Sequence, residues 1–313
     1  MKLRKRFSEY DKYFYDTDMS SSIKQNIKKK NLKMLFMGTN SLLFDDGKSR
    51  IFIDPYLSRF RNLIGPAYVF KSYSPKRRKI RGILRSIGIR KVDAIALTHT
   101  HPDHALDAPY IAKRTGAKII GSKSAGNIAR GYGIAEDDII LAKGNEIIDA
   151  GNFSIEFIES KHQPFPLPLR PIGGLGEAIE KPLEMPARPI DFKEGGSYCI
   201  FIEHRQAKIL ACGSPGFCEG MFDNYQADVL VAPIGGLAMQ SKKYNWKFFD
   251  EVIVKSGAKR VFLSHWDDFR IKLKKKQRFI RNSQKPAEWI IKRGEKLGIE
   301  ISLLPMMEII KLV

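Results

Sequence analysis

Residues 98–104 read Thr-His-Thr-His-Pro-Asp-His, so three of the six histidines in this 313-residue chain fall within one short segment. The preceding residues 92–97, Val-Asp-Ala-Ile-Ala-Leu, form an apolar run that predicts a buried strand. The histidines therefore lie where a rigid strand gives way to an exposed loop, which is a common position for a functional site.

The spacing of these residues indicates a metal site. His99 and His101 are two residues apart, so their rings point the same way in an extended chain. His104 follows one helical turn after His101, and Pro102 suits the first position of a helix. Converging neutral imidazoles bind zinc. A surface loop that happens to be rich in histidine is the alternative, but a chain with so few histidines rarely assembles this pattern by chance.

The His-x-His-x-Asp-His pattern resembles the metallo-β-lactamase superfamily. That resemblance implies an α/β (α+β) fold, a four-layer αββα sandwich in which two mixed β-sheets pack face to face between flanking helices. The strand–turn–strand opening over residues 34–56, which ends in Asp-Pro-Tyr, is similar to the first hairpins of the superfamily. Strand-rich segments followed by helices occur in both halves of the chain, as this architecture requires.

We divide the chain into a basic N-terminal extension, residues 1–32, and a hydrolase-like domain, residues 33–313. Within the domain, residues 57–91 form a basic insert with interleaved aromatic residues, and residues 163–195 form a loop rich in proline and glycine. Because this loop directly follows a candidate ligand, we expect it to lie over the site and shape the substrate pocket. The alternatives are a solvated cationic face for the insert and a structural arm or dimer contact for the loop.

The resemblance implies two sets of three metal ligands, all at the ends of strands. The first set is His99, His101 and His162. The second set is Asp103, His104 and His265. The expected cofactor is Zn²⁺, as one or two ions, although mixed nitrogen and oxygen sites also accept Mn²⁺ or Fe²⁺. The sixth histidine, His204, has no motif around it, and we expect it on the surface.

Further acids near the motif have roles implied by the same resemblance. Asp54 matches an acid that orients a ligand histidine, and outer-shell carboxylates fix the imidazole tautomer; an ordinary turn acid is the alternative. The stretch 264–269, Ser-His-Trp-Asp-Asp-Phe, resembles an ending found in one branch of uncharacterised hydrolases of the superfamily. There Asp267 or Asp268 would be an outer-shell partner or auxiliary acid, and both could equally be cap or surface acids.

One position departs from the superfamily pattern. A bridging Asp normally follows a strand in a Gly-Asp context, and in the matching stretch 209–217 Ser214 stands in its place. A neutral hydroxyl removes one negative charge between two dications that repel each other. The second metal should therefore bind more weakly, or the site should hold a single ion. Cys212 would ligate if it pointed inward, but strand alternation alone leaves its direction open.

The ligands imply a hydrolase that directs a metal-bound hydroxide at an ester, lactone or phosphodiester, with Asp103 orienting the water and moving its proton. The opening hairpins resemble the branch that contains ascorbate-phosphate lactonases and the N-acylphosphatidylethanolamine phospholipase D. That resemblance and the apolar loop favour a small-molecule or lipid-like anionic substrate. A non-catalytic metal-binding scaffold, which lost catalysis with the bridging acid, is an alternative.

Charge raises a further alternative. The net charge is +20, and such a balance attracts nucleic acid, anionic lipid or phosphorylated substrates. Two basic runs, within residues 57–91 and 270–281, favour a nuclease acting on RNA or DNA, whereas a generally lysine-rich surface needs no such partner. Three cysteines suit a reducing, cytoplasmic location. No apolar stretch is long enough to predict a transmembrane helix, and the pattern leaves the oligomeric state open.

Overall fold

The computed structural model describes residues 10–17, 23, 31–63, 67–144, 146–166 and 173–312. Most of the predicted N-terminal extension and residues 167–172 of the predicted loop lie outside these ranges. The described strands form two sheets of seven strands each. The order is β14-β1-β2-β3-β4-β5-β6 in the first sheet and β13-β12-β11-β10-β9-β8-β7 in the second.

The strands follow the predicted segments closely. Their bounds are β1 Lys33–Phe36, β2 Leu42–Asp45, β3 Arg50–Ile53, β4 Ala94–Ala96, β5 Lys118–Gly121, β6 Ile139–Leu141, β7 Ile148–Ala150, β8 Phe153–Ser160, β9 Ser197–His204, β10 Ala207–Cys212, β11 Val229–Pro233, β12 Arg260–Ser264, β13 Glu300–Leu303 and β14 Ile309–Lys311. Strand β14, which pairs antiparallel with β1, was not predicted.

Helices cover the outer faces of both sheets. Their bounds are α1 Ala67–Phe70, α2 Arg77–Ile87, α3 Pro102–Ala105, α4 Ala108–Thr115, α5 Lys123–Gly131, α6 Lys242–Phe248 and α7 Gln284–Lys296, with a π-helix over Phe249–Val254 and 3₁₀ turns over Asp11–Tyr13, Glu136–Asp138, Pro189–Asp191 and Leu237–Met239. None of the helices in the described ranges has the length and apolar character of a membrane span.

The alternation of side chains along each strand produces the layers. In β1, Met34 and Phe36 lie in the cluster between the sheets, whereas Leu35 lies in the outer cluster. Successive residues of a strand point to opposite faces, so a strand buried on both faces is apolar throughout. Ile83 of α2 joins the outer cluster of the first sheet, and Ile290 of α7 packs on the second sheet. The predicted αββα sandwich is confirmed.

The strand directions bring the predicted ligands to one edge. Strands β3, β4 and β5 are mutually parallel, as are β10, β11 and β12. Strand β8 is antiparallel to β9, which is antiparallel to β10, so β8 and β10 run the same way. The carboxyl ends of β4, β8, β10 and β12 therefore carry His99, His162, Ser214 and His265 to neighbouring positions.

Two outcomes concern chain segments away from this edge. His204 was expected on the surface, and that prediction is wrong: its ring is buried against Phe153, with Nε2 3.4 Å from Asp46 Oδ2. It ends β9 beside the β7–β8 turn, so the sheet covers it.

In the described part of the N-terminal extension, Phe14 forms a bridge with Leu303 and an edge-to-face contact with a buried tryptophan.

Candidate metal centre

Seven acidic and imidazole side chains converge at the carboxyl edge of the sandwich. They form three overlapping groups, in each of which the possible ligand atoms lie within 4.8 Å of one another. The groups are His99 with His101 and His162, Asp103 with His104 and His265, and Asp54 with His99 and His104. Both predicted ligand sets are thus brought together, and the third group connects them.

Hydrogen bonds hold these imidazoles by one nitrogen and leave the other available. His101 Nε2 lies 2.7 Å from the Gly173 carbonyl oxygen, and His162 Nδ1 lies 2.8 Å from the Gln163 carbonyl oxygen. His99 Nδ1 lies 3.1 Å from Thr98 Oγ1, while its Nε2 is buried without a partner among the described residues. An imidazole fixed at one nitrogen with the other unpartnered is the usual arrangement of a metal ligand. The residues present therefore fit a metal ion.

The electrostatics of the cluster favour the protonation states that ligands need. Burial, followed by the neighbouring imidazoles, lowers the pKa of His99 and of His162 well below the ordinary histidine value. Burial raises the pKa of Asp103, but His104 and His265 outweigh it and the net pKa falls below the usual range. Metal binds neutral imidazoles and ionised carboxylates, so these shifts favour binding by His99, His162 and Asp103. His104 differs, because burial lowers its pKa but Asp103 and Asp54 outweigh burial and raise the net pKa.

Asp54 holds the strand-to-loop junction that carries the motif. Its Oδ2 lies 2.9 Å from His104 Nδ1 and accepts a 2.9 Å hydrogen bond from Asn40 Nδ2. The backbone N–H and the hydroxyl of Thr98 donate to the same carboxylate at 2.8 and 2.5 Å. Asp54 itself has a left-handed φ of 45°. This carboxylate thus orients an imidazole in the way predicted, while its contribution to metal binding stays a prediction.

His265 is held by its backbone. Its φ is 53°, and its N–H donates to the Thr39 carbonyl oxygen at 2.7 Å. The Thr39 N–H in turn donates to Asp267 Oδ1 at 2.7 Å, and Asp267 pairs with the buried Arg59 at 2.5 Å. Gly235 packs on the ring, since a Cβ there would lie 2.5 Å from His265 Nδ1. Asp267 therefore supports His265 through Thr39 rather than by direct contact.

A pocket of about 230 Å³ opens over the cluster. His101, Asp103, His104, His162 and His265 lie at its base. Its walls are mostly apolar, and they include Leu63, Tyr68, Phe165, Phe269 and Ile280. Arg281 lies exposed at the rim. A substrate entering this pocket meets apolar walls, one cation and the metal ligands.

Residues 35–137 match the family model described as "Metallo-beta-lactamase superfamily". This part of the chain is similar to the metallo-β-lactamase superfamily. A UPF0173 metal-dependent hydrolase from Staphylococcus aureus (strain JH9) is 27% identical over 134 residues, which cover 42% of this chain and 48% of that relative. The chain thus spans about half the length of the curated relatives it matches.

Solved structures share the metallo-β-lactamase fold over most of the chain. Igni18, a metallo hydrolase from Ignicoccus hospitalis, has a TM-score of 0.55 at 18% identity and covers 89% of this chain and 95% of that one. CmlA, a diiron beta-hydroxylase from Streptomyces venezuelae, has a TM-score of 0.56 at 13% identity and covers 91% and 54%. An isothiocyanate hydrolase from Delia radicum gut bacteria has a TM-score of 0.53 at 16% identity and covers 89% and 98%. At these identities the likeness shows the fold alone.

The position at which the superfamily resemblance predicted a bridging ligand carries no acid. Ser214 is buried there, and its Oγ accepts a 3.0 Å hydrogen bond from the Gln163 N–H. Cys212, whose direction was left open, lies in the core between the sheets with its Sγ 2.6 Å from Cys199 Sγ. It belongs to none of the candidate ligand groups among the described residues. Asp268 also lies outside them and pairs with Arg270 and Arg278.

Some residues of the site were not predicted. Gln163 follows a ligand, lines the pocket and has a buried Oε1 without a hydrogen-bond partner in the described structure. The Gly173 carbonyl and the Phe165 ring come from the proline- and glycine-rich loop, and both residues line the pocket. That this loop shapes the substrate pocket stays a prediction. Adjacency to His162 was a signal for Gln163, whereas nothing in the local sequence pointed to Gly173.

Proposed function

We propose that this protein is a metal-dependent hydrolase that cleaves an ester, lactone or phosphodiester bond. The observation that carries the proposal is the convergence of two three-residue ligand groups at the base of a pocket, with a buried His99 nitrogen that has no partner in the part of the chain that the structure describes. Fold likeness alone does not support an activity, because one fold hosts many chemistries. The support for hydrolysis is the arrangement of the candidate ligands at the base of the pocket.

The residues have distinct roles in this proposal. A bound metal ion supplies Lewis-acid chemistry and lowers the pKa of water toward neutrality. We propose Zn²⁺, with Mn²⁺ or Fe²⁺ as alternatives that a mixed nitrogen and oxygen site accepts. The side chain of Asp103 lines the pocket, with Oδ2 3.5 Å from His265 Nε2 and 3.8 Å from His104 Nε2. It therefore accepts a proton from the attacking water and returns it to the leaving group.

The pocket walls support a class of substrate. Apolar side chains surround the ligands, and they favour an apolar body in the substrate. Arg281 stands at the rim, and a guanidinium binds carboxylate or phosphate oxygens in a planar fork. A small-molecule or lipid-like anionic ester fits both features. We also propose a cytoplasmic location, for which the three cysteines of the chain are the support.

A nuclease is the second candidate function, and one observation favours it. The two basic runs meet in a cleft beside the pocket, where Arg61 and Lys272 line the same surface. Nuclease activity would fall steeply as salt is added, because phosphate contacts release counterions. Hydrolysis of a small ester in the pocket would respond much less. Salt titration of both activities therefore separates these candidates.

Metal content is the test to perform first, by plasma mass spectrometry on untagged protein purified without chelator. Near two equivalents per chain supports a dinuclear site that compensates for Ser214, and near one supports a mononuclear site on His99, His101 and His162. Near none, even after zinc or manganese is added, contradicts the metal-dependent hydrolase. A panel of lactones, carboxylic esters and phosphodiesters then identifies the bond cleaved.

A further inference from the structure

A cleft of about 880 Å³ lies where residues 59–62, 67 and 76 meet residues 268–278, two parts of the chain that are far apart in the sequence. We call it the basic cleft. Its cationic lining is Arg59, Arg61, Lys76, Arg270, Lys272, Lys275 and Arg278. Asp268 is the acid among the described residues that line it. The fold thus concentrates the two basic runs of the sequence on one concave surface.

Most of this charge is left for a ligand. Arg59 is neutralised by the buried Asp267, and Arg270 and Arg278 share Asp268. The remaining four cations of the cleft have no ion pair within the described ranges. They are Arg61, Lys76, Lys272 and Lys275. A concave surface with several unneutralised cations raises the local concentration of anions.

The cations of the cleft are close enough to repel one another. Burial lowers the pKa of Lys79 to about 8, and the positive charges of Lys76, Arg59 and Lys272 contribute to the shift. Burial lowers the pKa of Lys76 as well, and Lys272 again contributes. An anion in the cleft would relieve this repulsion, so the surface is more favourable occupied than empty.

A second basic surface continues from the first. A hollow of about 370 Å³, which we call the basic hollow, is lined by Arg77, Lys113 and Arg114 together with Tyr110 and Tyr132. The two surfaces lie on either side of residues 76 and 77, because Lys76 lines the cleft and Arg77 lines the hollow. Together they offer cations to more than one phosphate group.

An exposed aromatic ring stands beside the cleft. Ala67 at the start of α1 lines the cleft, and Phe70 at the end of this short helix is 82% exposed. A large ring held in solvent is a stacking surface for a planar base. Cations for a phosphate backbone and an aromatic ring for bases are the two components of single-strand recognition.

We propose that the basic cleft and the basic hollow bind a single strand of nucleic acid by its phosphate backbone, with a base stacked on Phe70. Cations spread over two concave surfaces fit a flexible strand better than a single phosphorylated molecule. A concave lining also fits a strand better than a flat bilayer. This binding needs no metal ion and does not depend on which bond the metal site cleaves.

Binding is measured by fluorescence anisotropy with a labelled oligouridylate, in EDTA, over a series of KCl concentrations. Four phosphate contacts give a slope of about −3 in log K against log salt, at roughly 0.7 for each contact with a single strand. Replacing both Lys272→Gln and Lys275→Gln makes the slope shallower by about 1.4 on the same basis. Phe70→Ala lowers affinity about fivefold or more and leaves the slope unchanged.

The matched control removes two exposed lysines elsewhere. Lys118 and Lys259 lie at the amino ends of β5 and β12, opposite the edge that carries the metal ligands. The pair Lys118→Gln and Lys259→Gln changes net charge equally and should leave the slope near the wild-type value. The proposal is wrong if the control and cleft variants lose equal slope, if the strand fails to bind at low salt, or if anionic phospholipid vesicles bind where the strand does not.

Discussion

The pocket over the candidate metal ligands and the basic cleft lie side by side, but they differ in how their charged groups are arranged. Segments 59–68 and 268–281 contribute to both, as a shared wall. In the pocket, charged and imidazole groups face one another behind apolar walls, and burial adjusts their protonation. In the cleft, cations face solvent, with few acids to neutralise them. The pocket is suited to chemistry on one bond, and the cleft to attraction over a longer distance.

The shared wall is itself held by one buried ion pair. Arg59 and Asp267 are both fully buried, and the arginine also donates to the Ile271 and Asp268 carbonyl oxygens at 2.5 and 2.9 Å. On the pocket side, Asp267 reaches His265 through Thr39. The two regions are therefore structurally coupled, although their functions are separable. The predictions below test that separation.

The largest expected effect comes from Asp103→Asn. Loss of the proton acceptor should lower kcat by about 10²–10⁴-fold, the usual contribution of general acid–base catalysis. Binding of the labelled oligouridylate in EDTA should not change, because the pocket does not supply the cations of the basic cleft. Steady-state kinetics and anisotropy on the same preparation measure both. Unchanged turnover would reject Asp103 as the proton acceptor.

Breaking the ion pair of the shared wall should destabilise the folded protein. Asp267→Ala leaves Arg59 buried without its partner, which should lower the free energy of unfolding by about 3–5 kcal/mol. Urea denaturation measures this loss of stability. The affinity for the nucleic-acid strand and the rate of hydrolysis should fall together. As a control, Glu203→Gln breaks the exposed pair with Lys208 and should cost less than about 1 kcal/mol. Equal losses in the two variants would contradict the structural role of the wall.

Metal affinity should depend on the outer carboxylate of the pocket. Asp54→Asn removes the acceptor opposite His104 Nδ1 and should weaken metal binding by about 10–100-fold. Competition with a chromophoric chelator measures the change. Asp46→Asn is the matched control, because Asp46 contacts the imidazole of His204 away from the candidate ligands. A metal affinity that is insensitive to Asp54 would leave this residue with a purely structural role.

The smallest effect should follow Ser214→Asp. A carboxylate at this position adds one negative charge between two metal sites, so the second metal should bind about tenfold more tightly. Calorimetric titration of metal into metal-free protein resolves the two binding events. Ser214→Asn is the control, since it changes size without adding charge. If both variants behave alike, charge at this position does not set the number of metals bound.

The fold and the candidate ligands could be predicted from the sequence because their signals are local. Residues 98–104 carry a motif, and His162 and His265 end recognisable strands whose parallel directions bring the ends together. The motif itself forms a separate helical turn, α3, before the longer helix α4. Boundaries shifted by a few residues, while the layers were as predicted.

The rest of the site depends on contacts that the sequence does not display. Arg59 read as part of a basic surface run, but it is buried because Asp267, more than 200 residues later, compensates its charge. The His204 ring is buried by a neighbouring turn that follows from sheet order rather than from local polarity. The basic cleft exists only because two loops of unpredictable course meet. The course of the loops, more than the secondary structure, limited how much of the site could be predicted from the sequence.

Strand β14 has a consequence for how the chain is made. Its residues pair with β1, where Lys33 stands opposite Lys311. During translation, β1 leaves the ribosome early, while its edge partner is among the last of the described residues to emerge. An unpaired strand edge invites pairing with other chains, and contacts between distant residues slow folding. The nascent protein should therefore need protection from aggregation until synthesis has passed residue 311.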